Sequence, residues 1–560
     1  MSNRLSGAEA FVRMLQGHGV RHVFGLCGDT SLPLYDALFR LDHGITHVLT
    51  RDERSAAYMA DAYARVTGRV GVCEGPSGGG ATYILPGVVE ANESSIPVLA
   101  VTTDIAAASR GRYVLTELDQ ESLFRPLTKW NRVIDRAAKI PEVVRAAFRQ
   151  MTTGRPGAVH LGLPFDVQRE PVEEDALWAD AALGRFPARR QAPDADAVRG
   201  AAESIASAGS PLIVCGGGPV IAGAEPELRA LAELLGAPVL TTISGKGSIA
   251  EDHPLAGGVV GSNGGVAETR ALVDTADLVI FIGCRAGSVT TERWRHPAPG
   301  KARIVHIDVD PAVIGANYPT EAALVGDAKL ALAALLAELA EAPPRPGAEA
   351  VARAKAAKFE AFRRLARSDE RPIRPERIVA ALQDVLPQDA LIVADAGTPC
   401  PYLSAYYQLG GTGRRFITNR AHGALGYALP AAVGAHVGRP EVPCVAVMGD
   451  GSFGFAAGEL ETIVRLRLPI TMVVIANATF GWIKAGQKSG YEERYFSVDF
   501  SPGQHARIAE AYGVRAWRVE DPADLGPALR QALDAGGPAL VDVVTQPLHE
   551  ARAPVSEWVA

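Results

Sequence analysis

The sequence predicts an α/β fold of three domains, each built on a doubly wound, mostly parallel sheet. Short apolar runs such as His22–Phe24, Val98–Val101, Leu278–Ile282 and Cys444–Met448 break into polar or glycine-containing loops and are followed by helix-like segments. That alternation is what a parallel sheet with crossover helices requires. Two polar, proline-containing stretches, 165–194 and 342–376, interrupt it and read as interdomain crossings. At 560 residues the chain also exceeds one core, given roughly 100 to 200 residues per domain. The expected domains span 1–185, 195–340 and 372–545, with 546–560 left as a tail.

Bulk properties exclude several function classes. The net charge of -7 comes without a basic tract, so nucleic acid is not expected as a partner. Six cysteines are scattered with no CxxC pair, which suits a reducing cytoplasm. Met1-Ser2-Asn3-Arg4 lacks a signal-peptide core. No apolar run reaches the roughly 18 residues that span a bilayer. A cytoplasmic protein without membrane contact is the expectation.

In the first domain the strand His22–Gly25 enters Cys27-Gly28-Asp29, and Leu32–Leu38 follows as a helix. Thr46–Thr50 then leads into Arg51-Asp52-Glu53-Arg54 at the start of a helix through Arg65. On its own, Glu53 is an acid in a first helical turn, favoured by the dipole. Val70–Cys73 enters the small-residue loop Gly75-Pro76-Ser77-Gly78-Gly79-Gly80, and a further loop, Val114–Gln120, carries Thr116 and Gln120. A threonine there can also be satisfied locally.

The middle domain shows Pro211–Cys215 entering Gly216-Gly217-Gly218, Leu278–Ile282 entering Gly283-Cys284-Arg285, and Arg303–Asp310. Glycines after a strand admit a pyrophosphate, and Asp308 or Asp310 could accept a ribose hydroxyl. A purely structural Rossmann-like domain is the alternative.

In the last domain Leu391–Ala394 enters Asp395-Ala396-Gly397-Thr398, a turn able to hold phosphate oxygens, and Ala421–Pro430 contains Arg420's neighbours Gly423 and Leu425. Strand Cys444–Met448 runs into Gly449-Asp450-Gly451-Ser452, and strand Ile470–Ile475 into Asn477, with Thr479, Phe480 and Gly481 beyond. In a parallel sheet these strand ends meet at the carboxyl edge. A carboxylate, an amide oxygen and a backbone carbonyl near Thr479 are hard ligands for magnesium or calcium, hence for a diphosphate. A glycine-flanked aspartate alone is also an ordinary turn. Glu493, in the segment Phe480–Ser497, is a candidate general acid/base or a solvated loop charge.

Taken in chain order, the Glu53 junction, the Leu425 turn and the Asp450 to Asn477 unit resemble the thiamine diphosphate enzyme superfamily of pyruvate decarboxylase and acetohydroxyacid synthase, over nearly the whole chain. The resemblance implies a pyrimidine-binding first domain, a Rossmann-like middle domain and a diphosphate-binding third. Implied cofactor contacts are Gly28, Glu53, Gly397, Thr398, Gly423, Leu425, Gly449, Asp450, Gly451, Ser452, Asn477, Thr479, Phe480 and Gly481, with Asp450, Asn477 and Thr479 on Mg2+. In the family a glutamate at the Glu53 junction hydrogen-bonds the aminopyrimidine and promotes loss of the thiazolium proton. A bulky residue at the Leu425 position bends the cofactor. The chain departs from the family at Ala476, where an asparagine is usual, at Asp52, where a histidine is usual, and at Thr116, where glutamine or glutamate is usual.

The loop Glu117-Leu118-Asp119-Gln120 resembles the 2-hydroxyacyl-CoA lyase and oxalyl-CoA decarboxylase branch. That implies cleavage of an acyl-CoA, for instance 2-hydroxyisobutyryl-CoA, to formyl-CoA and an aldehyde or ketone, with Glu53 and Glu493 catalytic. Thr116, Gln120, Arg285, Arg420 and Arg552 are the candidate substrate residues, and the tail is a candidate lid. The alternatives are an acetolactate synthase-like carboligase or decarboxylase of 2-oxo acids, and a non-catalytic cofactor-binding subunit. The family also implies ADP, ahead of FAD, in the middle domain, and a homo-oligomer with a dimer as minimum and a tetramer expected.

Overall fold

The structure, a computed structural model, describes residues 4–339 and 345–558. Pro343 and Pro344 of the expected second crossing lie outside the described residues, as do Met1–Asn3 and the tail's Val559 and Ala560.

Three six-stranded sheets, each wholly parallel, form the frame. The first contains β1 (His22–Gly25), β2 (Thr46–Leu49), β3 (Gly71–Gly75), β4 (Val98–Asp104), β5 (Trp130–Val133) and β6 (Val159–Pro164), in the order β2-β1-β3-β4-β6-β5. The middle sheet contains β7 (Pro211–Cys215), β8 (Val239–Thr241), β9 (Ala256–Val259), β10 (Leu278–Ile282), β11 (Arg303–Asp308) and β12 (Ala322–Val325), in the order β9-β8-β7-β10-β11-β12. The third contains β13 (Leu391–Ala394), β14 (Phe416–Thr418), β15 (Cys444–Gly449), β16 (Ile470–Ala476), β17 (Arg515–Val519) and β18 (Ala539–Val544), in the order β14-β13-β15-β16-β18-β17.

The first and third sheets therefore share one winding, and the middle sheet has the Rossmann order. Central strands are buried along their length, as in Val98–Asp104 and Ile470–Ala476, because helices cover both faces. Alternate strand residues build one apolar core on a face of the first sheet and another on a face of the third, while the middle sheet has one cluster on each face.

By compactness the chain divides into two units. One comprises residues up to Arg189 together with Ala421–Glu441 and Ala456–Leu466; the other comprises Arg190–Arg420, Val442–Phe455 and the residues from Arg467 onward. One local expectation changes. The stretch from Pro171 to Ala188 packs on the first sheet instead of crossing: Pro171–Glu173 pairs antiparallel with Arg4–Ser6, Leu183 is buried, and the Ala188 N–H bonds Thr152 O at 3.0 Å. Beyond β15 the strand end turns straight into the helix Asp450–Ala456, ahead of a second helix, Leu460–Arg465.

Candidate active site

In the second unit the third sheet switches direction between β13 and β15, since the connection from β13 goes outward to β14 while that from β15 goes the other way to β16. Ligands of open α/β sheets bind outside the carboxyl ends at such a point. The loops there carry Gly397 and Thr398 after β13, Gly449 to Ser452 around the end of β15, and Asn477 to Gly481 after β16.

Asp450 ties two of these loops together. Its Oδ1 accepts from the Gly451 N–H at 2.8 Å, and its Oδ2 accepts from the N–H groups of Asn477 and Ala478 at 2.7 and 2.6 Å. It is the Asn477 backbone that meets Asp450. The turn is made possible by Ala478 at φ 54, a left-handed conformation uncommon outside glycine. Burial raises the Asp450 carboxyl above its ordinary value, and the three N–H donors work against that rise.

Thr479 is fixed by its hydroxyl donating to Val498 O at 3.0 Å. The Phe480 ring covers Gly451, where an added Cβ would sit 2.8 Å from the ring. At Gly397 and Gly449 an added Cβ would meet no atom within 4 Å, so backbone at two adjacent strand ends borders open space. Open backbone beside a buried carboxylate fits a diphosphate bridged to a hard cation.

In the first unit α1 (Leu32–Arg40) follows the Gly28 loop, and α2 (Glu53–Thr67) begins at Glu53. Asp52 caps α2, accepting from the Arg54 N–H at 2.8 Å, and its carboxylate pairs with the Arg54 guanidinium. This explains an aspartate before Glu53: it starts the helix. Glu53 itself is buried, and burial raises its carboxyl above the ordinary value. Its Oε1 lies 3.1 Å from where a Cβ on Gly80 would be, and its Cγ 3.3 Å from the same position on Gly75. Across the same glycine loop, Thr116 approaches Gly78 so closely that a Cβ there would be 2.8 Å from Thr116 Cβ. Glu53 and Thr116 thus border one small-residue loop from two sides. Gly28 lies in a different contact, pressed on Pro76, where a Cβ would sit 2.4 Å from its ring.

The Leu425 turn is anchored in the same unit by a buried polar network that sequence reading missed. Arg65 binds Asp61 at 2.9 Å and Glu90, on α3 (Leu85–Glu93), at 3.1 Å. The His422 N–H donates to Glu90 Oε2 at 2.7 Å, and the Tyr427 hydroxyl to Asp61 Oδ2 at 2.6 Å. Gly423 and Gly426, on either side of half-buried Leu425, have φ of 78 and 84, so the turn requires them. The available signal was Asp61 and Arg65, four apart in a helix otherwise dominated by small and apolar residues.

Other expected residues lie differently. Gln120 is fully buried, and its amide is engaged on both sides: Oε1 accepts from Thr102 Oγ1 at 2.5 Å and Nε2 donates to Thr103 O at 3.0 Å. Glu493 is exposed, at φ 58, in the turn after α4 (Gly481–Gly490). Arg420 donates to Ala396 O at 3.0 Å, stacks over Trp482 at 5.3 Å and meets the Asn263 amide oxygen, so its guanidinium is engaged within the protein. Arg285 and Arg552 are exposed.

The tail is docked. Trp482 Nε1 donates to Trp558 O at 3.0 Å, Ser556 donates to Glu292 at 2.6 Å, and Glu557 pairs with Arg295. In the middle domain, Gly216 and Gly218 pack on Gly283, where added Cβ atoms would lie 2.0 Å from Gly283 O and 2.5 Å from Gly283 Cα. Backbone packing alone therefore demands glycine there. No helix among the described residues is long and apolar enough to cross a membrane.

Comparison with known proteins follows the same three blocks. Family models match residues 5–123 as the N-terminal TPP binding domain, 198–335 as the central domain and 395–543 as the C-terminal TPP binding domain of thiamine pyrophosphate enzymes. A probable acetolactate synthase large subunit of Methanocaldococcus jannaschii is 36% identical over 552 residues, covering 97% of this chain and 92% of the relative. An acetolactate synthase of Arthrospira platensis is 33% identical over 563 residues, covering 96% and 94%. The acetolactate synthase large subunit of Corynebacterium glutamicum is 34% identical over 554 residues, covering 97% and 87%.

These relatives overturn the expectation of a 2-hydroxyacyl-CoA lyase forming formyl-CoA and favour the carboligase alternative. The loop Glu117–Gln120 misled because its buried glutamine serves the interior of the first domain, a role that carries no information about substrate. With three matched domains and relatives similar over almost their full length, the chain belongs to the thiamine pyrophosphate enzyme family.

Proposed function

We propose that the chain is an acetolactate synthase-like enzyme that decarboxylates one 2-oxo acid and joins the remaining fragment to a second. The observation that carries this is the similarity, over nearly the full length, to proteins named acetolactate synthase. Thiamine diphosphate, when bound, supplies a carbon nucleophile and an electron sink. Gly397, Thr398, Gly449, Gly451 and Ser452 would hold its diphosphate, with Mg2+ on Asp450, Asn477 and the Thr479 carbonyl. Glu53, buried and with its affinity for a proton raised, would exchange a proton with the pyrimidine ring. Leu425, on its anchored turn, would support the ring from beneath.

Glu493 is retained only as a candidate proton donor that a loop movement would have to bring inward, since it is exposed here. The middle domain is proposed to hold a nucleotide, with flavin absorbance of the purified protein marking FAD and its absence with bound adenine marking ADP. An assembly of at least two chains belongs to the same reading. The reading is tested by supplying pyruvate, 2-oxobutyrate and larger 2-oxo acids with and without thiamine diphosphate and Mg2+. Cofactor-dependent consumption of pyruvate to a coupled product is expected; no consumption of any 2-oxo acid by protein that binds the cofactor would remove it.

A further inference from the structure

One acid of the first unit has no role in the scheme above. Glu74, on β3, is 1% exposed, and its Oε1 has no hydrogen-bond partner among the described residues. Its Oε2 accepts from the Tyr35 hydroxyl of α1 at 2.7 Å, and that hydroxyl lies 3.0 Å from His47 Nε2 on β2. These three polar groups line a small cavity that is otherwise apolar, with Phe11, Leu34 and Val101 among its walls.

The Ser31 hydroxyl is also close enough to act on the Glu74 carboxyl, without a hydrogen bond between them in this structure. From there hydroxyls succeed one another: Ser31 Oγ to Thr103 Oγ1 at 3.3 Å, Thr103 to Thr30 at 2.8 Å, Thr30 to Ser77 Oγ at 3.2 Å and Ser77 to Thr116 Oγ1 at 2.7 Å. The last hydroxyl now donates to its neighbour Leu115 O at 2.5 Å. The half-buried Thr116 is the outer end, on the glycine loop that Glu53 borders from the other side. A row of hydroxyls, each able to donate and accept, runs from Ser31, beside a buried acid, to the edge of the candidate active site.

We propose that this row is a proton relay, in which Glu74 holds a proton that Ser31, Thr103, Thr30 and Ser77 conduct to Thr116, where a substrate oxygen gaining negative charge takes it. The proposal rests on the 2-oxo acid reading only for the identity of that oxygen. Each hydroxyl passes its own hydrogen outward and receives one from behind, so the chain ends unchanged and one proton has left Glu74. The link between Glu74 and Ser31 closes when the protonated carboxyl turns its O–H onto Ser31 Oγ, while the Ser31 hydrogen stays directed at Thr103 Oγ1. Glu74 is refilled as the Tyr35 phenol passes its hydrogen to the carboxylate and takes one from His47 Nε2; the half-buried ring takes a proton from solvent water at Nδ1, and exchange with solvent restores its Nε2–H form.

The groups facing Glu74 agree with a held proton. Burial, with Glu53 nearby, pushes its carboxyl up to about 7 against the opposing influence of the Tyr35 and Ser31 hydroxyls. Burial and the Arg465 charge push His47 down to about 4, so it stays neutral. The Tyr35 phenol is raised by burial and by Glu74, and so stays protonated.

The test uses the full-length enzyme with thiamine diphosphate and Mg2+ and the variants Glu74→Gln, Thr30→Val and Ser77→Ala. Thr30→Val keeps the side-chain shape and breaks the row in its middle. All three are expected to lower kcat by about 100-fold, with KM within about twofold. In mixtures of light and heavy water, wild-type kcat should follow the curved dependence of several protons in flight, and the two mid-row variants a straight line. Wild-type turnover and curvature in Thr30→Val and Ser77→Ala overturn the relay, as does a loss confined to Glu74→Gln. Infrared spectra at pH 6, wild type minus Glu74→Gln, should contain the C=O stretch of a neutral carboxylic acid. Its absence overturns the relay even on protein that leaves pyruvate untouched, whereas failure with pyruvate beside an intact stretch counts only against the substrate reading.

Discussion

Replacing Glu53 by glutamine is expected to lower turnover of a 2-oxo acid by roughly a hundredfold or more, the usual reach of a positioned acid or base. Glutamine keeps the length and shape of the side chain at the start of α2, and Asp52 still caps the helix. What it removes is the capacity to exchange a proton. Cofactor affinity should change far less than turnover, because the diphosphate loops lie elsewhere in sequence. Steady-state kinetics paired with a calorimetric titration of thiamine diphosphate measures both. Unchanged kcat in Glu53→Gln would mean that Glu53 is a buried structural acid.

The second large effect is expected at Asp450. Asp450→Asn keeps the volume, but one carboxylate oxygen becomes an NH2 group that meets N–H donors now held at 2.6 to 2.8 Å. Loss of the charge also removes the hardest ligand from the proposed metal site. Magnesium-dependent binding of thiamine diphosphate should weaken by at least about 100-fold, at the upper end of what outer-shell substitutions alone cost a metal site. Titration with Mg2+ present and then chelated measures it. Wild-type affinity in this variant would move the diphosphate away from β15.

A pH effect on stability follows from Glu74. Its carboxyl is raised in the folded protein relative to the chain's ordinary glutamate, so the folded state binds more protons, and stability falls as pH rises from about 4.5 through about 7. The penalty above that window is at most about 3 kcal/mol. Glu74→Gln should therefore melt higher than wild type at pH 8, with the difference vanishing by pH 4.5. Melting curves at the two pH values check the sign; a variant less stable than wild type at pH 8 contradicts it.

Much of the frame was legible in the sequence because strand ends in this fold are abrupt. Apolar runs such as Cys444–Met448 stop at glycine and aspartate, and the observed strands differ from the expected ones by a residue or so at most ends. Strand order was not legible, since it depends on which face each crossover helix covers. The Pro171–Ala188 stretch was read as a linker because its partners, Arg4–Ser6, lie far away in sequence and a three-residue antiparallel pair leaves no period to detect.

At the candidate site, Asp450 and Glu53 were singled out through the family resemblance, whereas the buried acids of the first unit were not. Glu90 and Glu74 sit among small and apolar residues where charge has no local explanation, and only the folded partners Arg65 and Tyr35 supply one, while Asp61 had only the sign of Arg65 four residues on. Gln120 shows the converse: a polar residue in a suggestive loop whose hydrogen bonds all turn inward.

The measurement closest to the proposed chemistry is nuclear magnetic resonance of the enzyme turning over pyruvate labelled at its carbonyl carbon, with thiamine diphosphate and Mg2+. Acetolactate labelled at both carbons of the new bond, with one carbon dioxide released for every two pyruvates, is the expected result. Labelled acetaldehyde alone, or pyruvate left intact by protein shown to bind the cofactor, would contradict a carboligase.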